Sequence, residues 1–270
     1  MPSVAERLFA ACCRVCAACV ALTPVAVIVL LVWASVTTTM ESTAMTESGR
    51  WLGVIGSTLF VSIASAAVGG ALGAGAALAA EELVPAPVRR TIEGAIGFFG
   101  AIPAVAFGWV AVTVVAPFVA SRPLDPLFAY TAAIAVLSVM VAPTACALVT
   151  RGLRRVPASV REASAAAGAS KLQTAALVVM PAFRRRIGVA VLAAFARAIG
   201  EATAMQMLFA ALASRGIAVA STAAAAVFGG LTGGPPTSDA SNYIAALLLL
   251  CAAAAGALAV RRKAGEPQWA

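Results

Sequence analysis

Histidine is missing from this 270-residue chain, and lysine occurs only at Lys171 and Lys263. The first absence removes the commonest general base and transition-metal ligand. The second goes with the lack of any G-x-x-x-x-G-K-[ST] stretch, so ATP is not held by a phosphate loop of that kind. Charged residues are scarce at 11%, while hydrophobic ones reach 62% with a mean hydropathy of +0.98. A soluble domain could not hide that much apolar surface. The chain therefore reads as an integral membrane protein with little soluble mass attached.

What charge there is has a pattern. The net charge of +8 suggests nucleic acid at first sight, but the basic residues flank apolar runs, as membrane topology requires, and no nucleic-acid partner is expected. Six cysteines are present, Cys12, Cys13, Cys16, Cys19, Cys146 and Cys251. Cys13, Cys16 and Cys19 fall near one helix face, which is conceivable for a metal. All six lie in apolar segments, however, so they read as small buried hydrophobes and no metal site is expected.

A helix needs about 20 apolar residues to cross the hydrocarbon core. Six runs qualify, at 15–36, 53–80, 94–119, 127–150, 187–212 and 242–260, which predicts an all-α protein of six transmembrane helices. The first follows a short basic start, as in a signal peptide, but it is long, has no Ala-x-Ala site and precedes further spans. It reads as a retained helix. Residues 217–231 (IAVASTAAAAVFGGL) are too short and Gly-rich for a span and read as an outside or re-entrant segment.

Alternate connections carry fifteen basic residues against three, Arg50, Arg122 and Arg215. The rich side is cytoplasmic, so both termini lie inside the cell (inner) membrane. The layout is a 1–14 N-terminus, a 15–260 membrane domain and a 261–270 tail. The outside connections are too short to fold as a binding domain, so capture of a solute from outside falls to another chain.

In the second run, Thr58 and Ser62 share a face, and Gly69/Gly73 form a small-xxx-small pair suited to close helix packing. Packing is the first reading for the hydroxyls and pore lining the second. Pro103 and Gly108 in "GAIPAVAFG" predict a kink or break in the third run.

The most informative connection is 151–186, "RGLRRVPASVREASAAAGASKLQTAALVVMPAFRRR". Ser159 with Glu162, and Ser170 with Gln173, have capping-box spacing. Gly168 between them stops the first helix as a C′ residue would. The prediction is helix, glycine turn, helix, with the second helix running to Pro181, and small side chains that suit a groove on a partner.

"EASAAAGASKLQTAALVVMP" resembles the EAA loop of ABC-importer permeases. Glu162-Ala163-Ser164 is followed after three residues by Gly168, and after nine more by Val178-Val179-Met180-Pro181. Ser164 and Met180 depart mildly from the usual alanine and leucine. Further stretches resemble the phosphate-importer permeases, of the PstC-like type more than the PstA-like: "AERLF", "STLFVSIASAAVGGALGAGAALAAEEL", "FFGAIPAVAFGWVAV" and "ARAIGEATAMQML". Ala104 and Phe107 stand where serine and tyrosine are common.

The resemblance implies a six-helix permease that is not itself catalytic. Glu162, Ala163, Gly168 and Pro181 would belong to the loop that couples it to an ATPase. It implies a second permease subunit (PstA-like, or a second copy), two ATPase subunits carrying ATP and magnesium, and an extracytoplasmic phosphate-binding protein. The cargo would be inorganic phosphate. The alternatives are sulfate, molybdate or tungstate and, in a different class, a channel or secondary transporter.

"FARAIGEATAM" places Arg197 and Glu201 four residues apart inside an apolar run, on one helical face with Ala204, Met205 and Leu208. Intramembrane ionisable groups are functional candidates by default. Arginine's planar fork suits an oxyanion, and Glu201 would partner it while the pathway is empty. The substrate pathway is therefore assigned to Arg197, Glu201, Thr58 and Ser62. The alternative is a structural pair, or an Arg197 bonded to a sister subunit.

Overall fold

The computed structural model describes residues 48–121, 126–217 and 222–231, together with Val29 and Cys251. The expected spans 15–36 and 242–260, both termini and the Cys12–Cys19 cluster lie outside the described residues. Every regular element described is helical.

Helix α1 (Ser48–Leu78) runs on into a π-helical turn, Ala79–Leu83, and stops at Pro85. Helix α2 is Ala86–Ala101. Helix α3 comprises Ala104–Val110, a π-helical turn Ala111–Val115, and Ala116–Ala120. Helix α4 is Pro126–Leu153 and α5 is Ala158–Ala166. Helix α6 comprises Lys171–Gln173, a π-helical turn Thr174–Val179, and Met180–Ile199. Helices α7 (Thr203–Ala213) and α8 (Ala223–Leu231) follow.

All three π-turns end two residues before a proline: Pro85, Pro117 and Pro181. Proline has no N–H, and its ring clashes with the carbonyl four residues back. A wider turn just before the proline eases that clash. This is why the helix expected to stop at Pro181 instead continues through it to Ile199.

Two continuous helices are long and apolar enough to cross a membrane, Gly53–Leu83 and Leu127–Leu153. Two bent pairs would raise this to four among the described residues: Ala86–Ala101 with Ala104–Ala120 at 88°, and Arg186–Ile199 with Thr203–Ala213 at 54°. The first break falls at Ile102–Pro103, where the residue before proline is forced into extended backbone. It agrees with the kink predicted at Pro103. Gly108 is not a break. It is where α7 approaches: a Cβ there would sit 3.2 Å from the Ala204 Cα and 3.3 Å from the Met207 Cβ.

The α1 helix is turned with its small side inward. Ser57, Thr58, Ser62, Ser65, Gly69, Gly70 and Gly73 are buried, whereas Phe60, Ile63, Val68 and Leu72 are exposed. Lipid solvates large apolar side chains as well as a core does, so close backbone packing is what joins helices here. A Cβ on Gly69 would lie 2.5 Å from the Ser138 carbonyl oxygen of α4, and one on Gly70 would lie 2.9 Å from Val191 of α6. The α1, α4 and α6 helices thus form the closely packed centre, in which alanine is the commonest buried residue.

Candidate functional site

Two regions carry the polar groups. The first is the hairpin formed by α5 and the start of α6. Gly168 adopts φ +82°, a conformation open to glycine. The Ala169 N–H donates to the Ser164 carbonyl (3.1 Å) and the Gly168 N–H to the Ala165 carbonyl (2.9 Å), the Schellman pattern that ends a helix.

Ser170 then opens α6 with the expected capping box. Its Oγ accepts from the Gln173 N–H (3.3 Å), and the Gln173 Oε1 accepts from the Ser170 N–H (2.8 Å). The Ser164 and Thr174 hydroxyls pair at 2.9 Å across the turn. The other expected box does not form. Pro157 takes the cap position and α5 begins at Ala158, so Ser159 already lies inside the first turn and Glu162 is left exposed. Ala163 and Pro181 are also exposed, as are Leu172 and Leu177.

Below the hairpin lies a charge cluster that motif reading missed. Glu81 binds Arg154 (2.7 Å) and Arg89 (3.5 Å), Glu93 binds Arg154 (2.5 Å) and Arg89 (3.6 Å), and Glu82 binds Arg161 (2.6 Å). The hydrogen bonds that Arg154 donates to Glu81 and Glu93 push its pKa up, and those that Arg161 donates to Glu82 do the same there. A raised cation pKa gives stability that is lost only as pH climbs through the elevated value. Both arginines therefore stay charged throughout the physiological range. The signal in the sequence was the Glu81–Glu82 doublet, at the same end of α1 as the basic connections.

The second region surrounds the break between α6 and α7. The helix ends at Gly200 and bends, so Arg197 and Glu201 do not share one continuous face. Arg197 is exposed and makes no ion pair among the described residues. The Glu201 Oε1 turns forward and accepts the Ala204 N–H (3.2 Å) in the first turn of α7.

Nearby, the Thr58 hydroxyl donates to the Val54 carbonyl (2.6 Å) and accepts the Ala223 N–H (2.8 Å) at the start of α8. Val54, Ile199 and Ala223 pack together beside it. The Ser62 and Thr222 hydroxyls are buried without a hydrogen-bond partner among the described residues. Thr58 therefore holds the start of α8 against α1, while Ser62 sits one turn further along the same face. Among the described residues no group of three or more His, Cys, Asp or Glu is placed to hold a metal.

Residues 69–260 match the family described as "Binding-protein-dependent transport system inner membrane component". The chain belongs to that family.

This inner membrane component is 34% identical over 149 residues to the "Probable ABC transporter permease protein YqgH" of Bacillus subtilis (strain 168). That stretch is 55% of this chain and 48% of the relative, so the chain spans about half the length of the curated relative it matches. Its fold is similar to that of the MetNI methionine ABC transporter in an inward facing conformation, with a TM-score of 0.55 at 18% identity, covering 81% of this chain and 98% of that one. It is also similar to a bacterial alginate ABC transporter in complex with a periplasmic protein carrying an alginate pentasaccharide, with a TM-score of 0.57 at 15% identity, covering 81% and 80%. At those identities the likeness is one of fold. The family range takes in the hairpin, Arg197 and Glu201 of this inner membrane component, while Thr58 and Ser62 precede it.

Proposed function

We propose that the chain is the transmembrane permease subunit of an ATP-driven importer and that its cargo is inorganic phosphate. The observation that carries the importer reading is the hairpin. It is rigidly turned at Gly168, tied to α1 beneath, and presents Glu162, Ala163, Leu172 and Leu177 outward for an ATPase subunit. Such a surface favours an importer over a channel or secondary transporter.

The assembly would contain two permease subunits, the second PstA-like or a copy of this chain. Two ATPase subunits with ATP and magnesium would sit on the cytoplasmic side, and a phosphate-binding protein outside. Sequence resemblance favours phosphate over sulfate, molybdate and tungstate. Arg197 supports an anion of this class, because its fork of donors is exposed and not neutralised by Glu201. Its contact with the anion must be weak, since conduction requires release.

The test is uptake in proteoliposomes holding this chain, the second permease subunit and the ATPase, supplied with a phosphate-loaded binding protein. Radiolabelled phosphate should accumulate only with ATP, and excess sulfate or molybdate should not compete. Arg197→Gln should assemble normally and lose uptake by roughly tenfold or more, the weight of one charge-assisted contact. Wild-type uptake in that variant rejects the anion role, and failure of any ATPase subunit to co-purify rejects the importer.

A further inference from the structure

We infer that Arg161 is the positioning residue that locks the hairpin to the second predicted span, so that force applied to the hairpin reaches α1. This rests on the importer reading above. The hairpin has covalent routes into two membrane helices: α6 is continuous with it, and α4 joins it through residues 154–157. It has no such route to α1.

Among the described residues, Arg161 is the member of the hairpin that hydrogen-bonds α1. All three nitrogens of its guanidinium donate. Nε donates to both oxygens of Glu82 (3.2 and 3.0 Å) and Nη2 to Glu82 Oε1 (2.6 Å). Nη1 donates to the Val156 carbonyl (2.9 Å) and Nη2 also to the Leu153 carbonyl (3.2 Å), which accepts the Val156 N–H as well, in the turn that ends α4. One side chain thus clamps α5, the end of α4 and the end of α1 into a single body.

Exposed ion pairs contribute little, but this pair is unlike them. The Glu82 side chain is only 6% exposed and Arg161 is 32% exposed, with a bidentate fork as its geometry. Lysine could meet the carboxylate but not the two carbonyls at the same time. The neighbouring Arg154–Glu81–Glu93–Arg89 ring does a different job. It fastens α2 to α1 and α4 and involves no residue of α5 or α6.

The experiment compares wild type, Arg161→Gln, Glu82→Gln and the double variant in the assembled complex. ATP hydrolysis and substrate uptake are both normalised to the amount of complex. A coupling element of ordinary strength predicts a rise of about tenfold in ATP hydrolysed per substrate moved for each single variant. Assembly and ATP turnover should be nearly unchanged, the double variant should be no worse than either single, and Arg161→Lys should fall between.

The inference is overturned if Arg161→Gln keeps the wild-type ratio, or if losses multiply in the double variant. It is equally overturned if uptake falls only in step with assembled complex, which is what a purely structural contact would give. A wild-type complex without ATP-driven uptake would instead reject the importer reading, and with it this one, before any variant is compared.

Discussion

Gly69→Ala should destabilise the chain, whereas Gly75→Ala, six residues along the same helix, should not. A Cβ at Gly69 would stand 2.5 Å from the Ser138 carbonyl oxygen and 2.6 Å from Val141 Cγ2, whereas ordinary contact begins at 3.4 Å. The shortfall is close to an ångström, and one of the two atoms is backbone of α4, which cannot swing aside. Relief requires α1 and α4 to part along their closest approach. Overpacking of this kind costs about 1–3 kcal/mol, or roughly five- to 150-fold in the folded-to-unfolded ratio. At Gly75 nothing lies within 4 Å. There alanine only adds helix propensity, worth up to about 1 kcal/mol. The propensity gain is common to both variants, so their difference isolates the clash. Unfolding of the purified chain in mixed micelles titrated with a denaturing detergent, followed by helicity, measures both. If Gly69→Ala proves as stable as Gly75→Ala, the close packing of α1 on α4 is wrong.

Two hydroxyls one turn apart should respond in opposite senses. Thr58→Val leaves the buried Ala223 N–H without its acceptor and should cost about 1–3 kcal/mol in the same titration. Ser62→Ala removes a buried hydroxyl that has no partner among the described residues, so stability should hold or rise, and a fall in uptake alone would mark it as pathway lining. Glu201→Leu should cost about 1 kcal/mol through loss of the α7 cap. Glu201→Gln, which retains an acceptor oxygen, should stay near wild-type stability, and equal losses in both variants would contradict the capping role.

The parts of this architecture legible in the sequence are those decided within a few residues. Pro103 breaks the third run because a proline constrains its own neighbour, and Ser170 caps α6 because its partner Gln173 is three positions away. Gly168 ends α5 for an equally local reason. Local rules misled at Pro181, where a π-turn absorbs the proline, and at Ser159, where Pro157 had already opened the helix. They were silent on the Arg161–Glu82 contact, which joins residues 79 positions apart and becomes visible only once α1 and α4 are packed. The small side of α1 was legible as a face, but its division of labour was not: Thr58 holds α8, Gly69 admits α4 and Gly70 admits α6.

The charges in "FARAIGEATAM" change meaning with the break at Gly200. A broken helix in a membrane exposes backbone groups that no water can satisfy, and they must find partners within the protein. Glu201 is one answer. Its carboxylate takes the Ala204 N–H, and its own N–H donates to the Ala198 carbonyl (3.3 Å). A negative charge also suits the positive end of α7. So Glu201 has a sufficient structural reason to be there, and that reason does not involve Arg197. Arg197 sits before the break with no such reason, exposed and without an ion-pair partner among the described residues. Of two charges that looked like one pair, the bend assigns the carboxylate to architecture and leaves the guanidinium as the group that has to be explained by what passes it or binds it.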